Sequence, residues 1–166
     1  PILARRLLDA GARGLIVPMV EDPGELLEFT VHCTNPPKGR RGVSLSRFNL
    51  WGDRFEEELN NSRPIIVPMI ETKKGLENID EITSLSQTDA IFIGPYDLSA
   101  SLGVAGEFEA TVFVDCLEKI KAAAAKNNVP IGIHQVQPDL GELKSRIDEG
   151  YTFIAYSTDL IAMRHA

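Results

Sequence analysis

Short apolar runs, each followed by a stretch with helical spacing, succeed one another along this chain. Gly14–Val20 (GLIVPMV), Gly42–Leu45, Pro64–Ile70 (PIIVPMI), Ala90–Ile93, Val129–Ile133 and Thr152–Tyr156 read as strands. Apolar and β-branched residues fill them without polar alternation, as in strands covered on both faces. Ile2 to Ala10 reads as the end of a helix stopped by Gly11. Asp22-Pro23 is an N-cap and first-turn pair. Thr111–Asn127 is the longest helical stretch, and Pro138–Glu149 ends at Gly150. Helices are also expected after Leu50 and after Thr72. Strand–helix alternation of this kind predicts a parallel sheet covered by helices.

Two segments echo one another: LIVPMVEDPGEL from Leu15 and IIVPMIETKKGL from Ile65. Such an echo suggests repeated βα units. Pro18 and Pro68 argue the other way, because proline cannot donate to a central ladder. No Gly-x-Gly-x-x-Gly loop follows any strand, which argues against a dinucleotide-binding sheet. The expected fold is a (β/α)8 TIM barrel represented by about six βα units, the first two strands missing. Residues 1–166 then form a single domain, the C-terminal portion of the barrel. Sheet edges before Gly14 and after Tyr156 would be left unpaired, so a fragment of a larger barrel is expected.

Composition narrows the partners. The 166 residues are 43% hydrophobic and 25% charged, with a net charge of −7 spread along the chain. Nucleic acid and anionic membrane are therefore not expected partners. Cys33 and Cys116 are the only cysteines and lie far apart, so neither a disulfide framework nor a zinc ribbon is expected. A cytoplasmic protein fits best.

Candidate chemistry gathers where strands end. Glu71 closes one apolar run, and Asp97 closely follows another in IFIGPYDLS. Carboxylates at the C-terminal ends of parallel strands lie on the face where barrel active sites are built. Two of them can hold a hard divalent cation through oxygen, and that cation can polarise a carbonyl and stabilise an enolate. The alternative is a pair of solvated loop acids. The turn Gly94-Pro95-Tyr96-Asp97 would let backbone N–H groups approach a carboxylate. His134, at the end of VPIGIH, would face the same side, as a pocket wall or a substitute base. Arg47 and Trp51 would follow the Gly42–Leu45 strand on that side, where Arg47 could meet an acidic substrate. Glu21 takes in the first repeat the place of Glu71 in the second, and reads as a loop carboxylate. Lys73 and Lys74 lie outside the apolar strands, which disfavours Schiff-base chemistry.

Ile70-Glu71-Thr72 and Gly94-Pro95-Tyr96-Asp97-Leu98-Ser99 resemble the paired metal-site motifs of the HpcH/HpaI family of metal-dependent 2-oxo acid aldolases. Leu7–Gly11, Val17–Val20, Pro36-Pro37 with Arg41-Gly42, and Thr158-Asp159 match in the same order. The resemblance implies reversible cleavage of a 4-hydroxy-2-oxo acid to pyruvate and an aldehyde by a class II, carbon–carbon lyase mechanism through a metal-held enolate. It implies Glu71 and Asp97 as ligands of Mg²⁺, or alternatively Mn²⁺ or Co²⁺, and the N–H groups of Tyr96 and Asp97 as binders of the substrate carboxylate. Met69 falls where some members place a substrate-contacting glutamine. Asp9 matches an acid that supports a catalytic histidine. A homo-oligomer with the C-terminal helix on a neighbour is implied as well. The histidine base and the enolate-stabilising arginine lie upstream of Asp9 in the family, so a chain complete as it stands is expected to be inactive or nearly so. The competing readings are a citrate-lyase-like enzyme acting on acyl-CoA or oxaloacetate, and a non-catalytic metal-binding barrel fragment.

Overall fold

A computed structural model describes residues 2–61 and 63–165. Five parallel strands form one sheet in chain order: β1 (Gly14–Val17), β2 (Ile65–Ile70), β3 (Ile91–Ile93), β4 (Ile131–Gln135) and β5 (Phe153–Tyr156). The helices between and around them are α1 (Ile2–Asp9), α2 (Pro23–Cys33), α3 (Phe55–Asn61), α4 (Lys73–Glu77), α5 (Ile79–Ser84), α6 (Pro95–Ser101), α7 (Thr111–Lys126), α8 (Leu140–Asp148) and α9 (Asp159–His165). The architecture is thus half of a barrel. Among the described residues, no helix is long and apolar enough to cross a membrane.

The apolar runs of the strands sort by parity into two layers. Ile66, Ile70, Ile91, Ile93, Ile131 and Ile133 pack against Leu26, Ile79, Ile82, Phe113, Leu117 and Ile120 of the helices. Val67, Ala90 and Phe92 form a second cluster with Met69 and Phe153 on the opposite face, which is the barrel interior. Strands buried on both faces need no polar alternation. Gly132 stands in register between Phe92 and Phe153. A Cβ there would lie 2.5 Å from the Phe153 ring, so only glycine lets that ring lean across and stack on Phe92 at 5.5 Å.

The proline objection resolves differently in the two echoed segments. β1 ends at Val17, so Pro18 lies outside the ladder. Pro68 is inside β2, in register with Val17. Ile66 accepts from the Asp89 N–H and Ile70 accepts from the Gly94 N–H, both on the β3 side. By the alternation of a parallel strand, Pro68 lacks only a donor toward β3. The echoed segments are offset by one residue in the sheet, because Val17 rather than Pro18 faces Pro68.

Gly42–Leu45 is not a strand, and the expected six βα units reduce to five described strands. β1 pairs directly with β2 and leaves no slot between them. Residues 42–45 carry no regular secondary structure and are followed by a 3₁₀ turn at Arg47–Gly52. Asn49 supplies the hydrogen bonds a ladder would have given: its amide donates to Ser44 O at 2.7 Å, and its Oδ1 accepts from the Ser46 N–H at 2.9 Å. Side-chain bonding of this kind competes with strand formation. The other helix expectations hold closely. Asp22 Oδ1 caps α2 by accepting from Gly24 and Glu25, and Asp139 caps α8 by accepting from Glu142.

Replacing Gly132 with alanine is expected to push the Phe153 ring off Phe92 and to cost about 1–3 kcal/mol. A urea midpoint equal to that of the unsubstituted chain would contradict the packing. Cys33 is fully buried, and burial pushes its thiol up to about 11. It should resist an aromatic disulfide reagent at pH 8 and react only once the chain unfolds.

Candidate metal and substrate site

β1, β2 and β3 deliver a small set of polar groups to one end of the sheet. Glu71 follows β2 directly and is buried. Val67 and Met69 face the barrel interior, and Glu71 continues that parity. Its Oε1 accepts the Met19 N–H at 2.6 Å, which ties the tip of β2 to the chain leaving β1. Met19 holds a left-handed backbone with φ +55°. A non-glycine residue is disfavoured there, and the bond to Glu71 helps to hold it.

The ladder ends at Ile70–Ile93, and the Gly94 N–H then donates to Ile70 O at 3.3 Å, which brings Gly94 beside Glu71. A Cβ on Gly94 would lie 2.9 Å from Glu71 Oε2, 3.1 Å from Glu71 Cβ and 3.3 Å from Met69 Sδ. Glycine therefore makes the room in which the second carboxylate oxygen sits. Pro95 then opens α6. The first turn of a helix leaves its N–H groups without intrahelical acceptors, and the missing N–H of proline is no loss there. Leu98 is the first residue of this turn to bond back, to Gly94 O at 2.9 Å. Among the described residues, the Tyr96 and Asp97 N–H groups have no acceptor, and the Asp97 side chain is exposed in the same turn.

Glu71, Met69, Gly94, Tyr96 and Asp97 are thus gathered at the C-terminal ends of β2 and β3. His134, near the end of β4, shares the inward parity of Gly132 and stands in register with Ala155. Among the described residues, no group of three or more His, Cys, Asp and Glu side chains is placed to hold a metal. Two carboxylates, with Glu71 Oε2 free of the Met19 bond, match a hard cation that keeps most of its coordination for water or substrate oxygens.

Two expected residues lie elsewhere. Arg47 follows a segment that is not a strand, and its Cγ and Cδ are 3.3 Å from the Cβ position of Gly11, ahead of β1. It therefore stands at the end of the sheet where strands begin, away from Glu71. Asp9 ends α1 at that same end, where it accepts from Arg41 Nη2 at 2.7 Å and pairs with Arg5 at 3.5 Å. Arg41 is buried, and its guanidinium and that of Arg13 both lie over the Phe48 ring, 4.4 and 4.9 Å from its centroid. Arg13 in turn makes a bidentate pair with buried Glu58 at 2.6 and 2.8 Å. Sequence reading missed this cluster, because its partners sit on separate elements with no shared motif.

Glu21 has ordinary partners: it pairs with Lys74 at 3.5 Å, and its carbonyl accepts from Asn78 Nδ2 at 2.7 Å.

Known proteins resemble the chain over nearly its whole length. The family model described as HpcH/HpaI aldolase/citrate lyase matches residues 2–166. A curated relative, a 5-keto-4-deoxy-D-glucarate aldolase of Citrobacter koseri, is 34% identical across 100% of the chain. The chain spans 65% of the length of that relative. A HpcH/HpaI aldolase/citrate lyase family protein of Burkholderia cenocepacia superposes with a TM-score of 0.91 at 28% identity, covering 99% of this chain and 66% of that one. A HpcH/HpaI aldolase of Desulfitobacterium hafniense superposes with a TM-score of 0.85 at 30% identity, covering 98% and 63%. The chain belongs to the HpcH/HpaI aldolase/citrate lyase family.

Proposed function

We propose that this chain carries the cation-binding and carboxylate-binding part of a class II aldolase-type lyase that interconverts a 4-hydroxy-2-oxo acid with pyruvate and an aldehyde. The observation that carries the reading is the buried Glu71 carboxylate. One of its oxygens is fixed by Met19 N–H, and the other lies in the space left by Gly94, beside the unbonded N–H groups that open α6.

Glu71 and Asp97 would hold Mg²⁺, or Mn²⁺ or Co²⁺, which oxygen ligands do not discriminate sharply. When bound, such an ion supplies a Lewis acid for the 2-oxo group and a counter-charge for the enolate. The residues of the chain do the rest. The N–H groups of Tyr96 and Asp97 would donate to the substrate carboxylate and set its orientation. Met69 Sδ packs beside Gly94 and gives that end of the pocket an apolar wall. Cleavage breaks the C3–C4 bond, leaves the electron pair as the C2–C3 enolate and releases the proton of the C4 hydroxyl as the aldehyde forms. Protonation at C3 then gives pyruvate.

The proton steps need a base. His134, near the end of β4 with the strand parity of Gly132, would line that space. In the family resemblance, the histidine base and the arginine partner of the enolate correspond to positions ahead of Asp9, and the full activity belongs to a protein that contains them. Asp9 and Arg47, at the far end of the sheet, stand apart from the proposed cation position.

Mn²⁺ titration followed by electron paramagnetic resonance is expected to show about one bound ion per chain, with tighter binding when pyruvate is added. Glu71→Ala and Asp97→Ala should each weaken it about tenfold or more. Binding that neither substitution changes would sink the assignment. Gly94→Ala should displace Glu71 Oε2, free the Met19 amide and weaken Mn²⁺ similarly, read by faster hydrogen exchange at Met19. Slow exchange at Met19 in that variant would show that the carboxylate does not depend on Gly94.

A further inference from the structure

Glu71 is held by Met19, and Met19 lies in the short segment that leaves β1. That segment is in turn gripped by the helices that follow Glu71 in sequence. Thr72 Oγ1 accepts the Gly75 N–H at 3.0 Å and so caps α4 directly after the candidate ligand. α4 then passes so close to the segment that a Cβ on Gly75 would lie 2.5 Å from Val20 O. At the junction of α4 and α5, Asn78 Nδ2 donates to Glu21 O at 2.7 Å. The Lys74–Glu21 pair at 3.5 Å joins the same two pieces at the surface, where such pairs contribute little.

These contacts close a ring. Glu71 leads through Thr72 to Gly75 and Asn78, which meet Val20 and Glu21, and Met19 beside them returns to Glu71 Oε1 at 2.6 Å. Asn78 is the polar side chain of this ring that reaches farthest. It stands at the N-cap position of α5, yet its side chain makes no cap bond there. Its amide instead meets a carbonyl 57 positions back along the chain. The orientation of that amide is fixed, because a flipped one would set Oδ1 against the carbonyl oxygen. Without it the Glu21 carbonyl loses a donor, and the left-handed Met19 loses one of the anchors that offset its strain.

We propose that Asn78 is a positioning residue for the cation site: by holding Glu21 O, it keeps Met19 where its N–H orients the Glu71 carboxylate. It acts through Met19 and not by contact with the cation. The proposal rests on the reading of Glu71 as a cation ligand. The clasp can be followed without any cation, which keeps the two claims apart.

Amide spectra of the isotope-labelled 166-residue chain test it first without substitution. Mg²⁺ should shift the Met19 backbone amide and the Asn78 side-chain amide along one saturable curve, because coupling through the ring is reciprocal. Asn78→Ala should speed hydrogen exchange at Met19 in the cation-free chain. It should also weaken Mn²⁺ binding, followed by electron paramagnetic resonance, about fivefold, the worth of one hydrogen bond. Asn127→Ala is the control at the other end of the sheet. It removes another amide that joins two helices, bonded to Thr83 Oγ1 at 2.9 Å, and should lower stability while leaving Met19 exchange and Mn²⁺ affinity unchanged. Unchanged Met19 exchange in Asn78→Ala, or faster exchange with unchanged Mn²⁺ affinity, would overturn the proposal and leave Glu71 as a ligand. So would an Asn78 side-chain amide that does not move with Met19, or an Asn127→Ala variant that reproduces both effects. A chain that binds no Mn²⁺ through Glu71 would overturn the cation reading, and the positioning role with it.

Discussion

The hydrogen bond from Met19 N–H to Glu71 Oε1 is the constraint on which this end of the molecule depends. It joins residues 52 positions apart in sequence, and it restrains a carboxylate that would otherwise rotate freely at the tip of a strand. The cost is a left-handed Met19. That cost sits where a binding site must be rigid, and the parallel pairing of β1 with β2 sets both residues in place. Gly94 completes the arrangement by leaving the other oxygen in open space.

The two ends of the sheet carry different kinds of polar chemistry. At the C-terminal ends of the strands, Glu71 Oε2, the exposed Asp97 side chain and the N–H groups that open α6 are left without partners among the described residues. Where the strands begin, Asp9, Arg41, Arg13, Glu58 and Phe48 meet one another in ion pairs and cation–ring contacts, and the buried Arg41 Nε is left without a hydrogen-bond partner among the described residues. The first set leaves carboxylate oxygens and N–H groups open, and the second pairs most of its charge internally. That contrast separates a candidate site from structural electrostatics more surely than the identity of the residues does.

Much of this was legible in the chain itself. Apolar runs located all five strands to within a few residues, and Asp22-Pro23 marked the start of α2 because capping is a local interaction. Glu71 and Gly94 through Asp97 were legible because end-of-strand position and glycine-proline turns are written in adjacent residues. Gly42–Leu45 misled because a run of extended residues says nothing about whether a neighbour offers a ladder, and Asn49 had already taken up the backbone groups. Arg47 followed that error to the wrong end of the sheet. The one-residue offset between the echoed segments and the Met19 bond were hidden for the same reason. Each depends on pairings between distant elements that no local pattern records.

The central claim is that one end of this sheet, centred on Glu71, receives a divalent cation. The most direct test is an amide correlation spectrum of the isotope-labelled chain with a substoichiometric amount of Mn²⁺, whose unpaired electrons broaden nearby resonances. The account predicts loss of the Met19, Glu71, Gly94, Tyr96 and Asp97 signals, with Gly11, Arg41 and Arg47 left sharp. Broadening centred on Asp9 and Arg41, or spread evenly over the acidic surface, would contradict it.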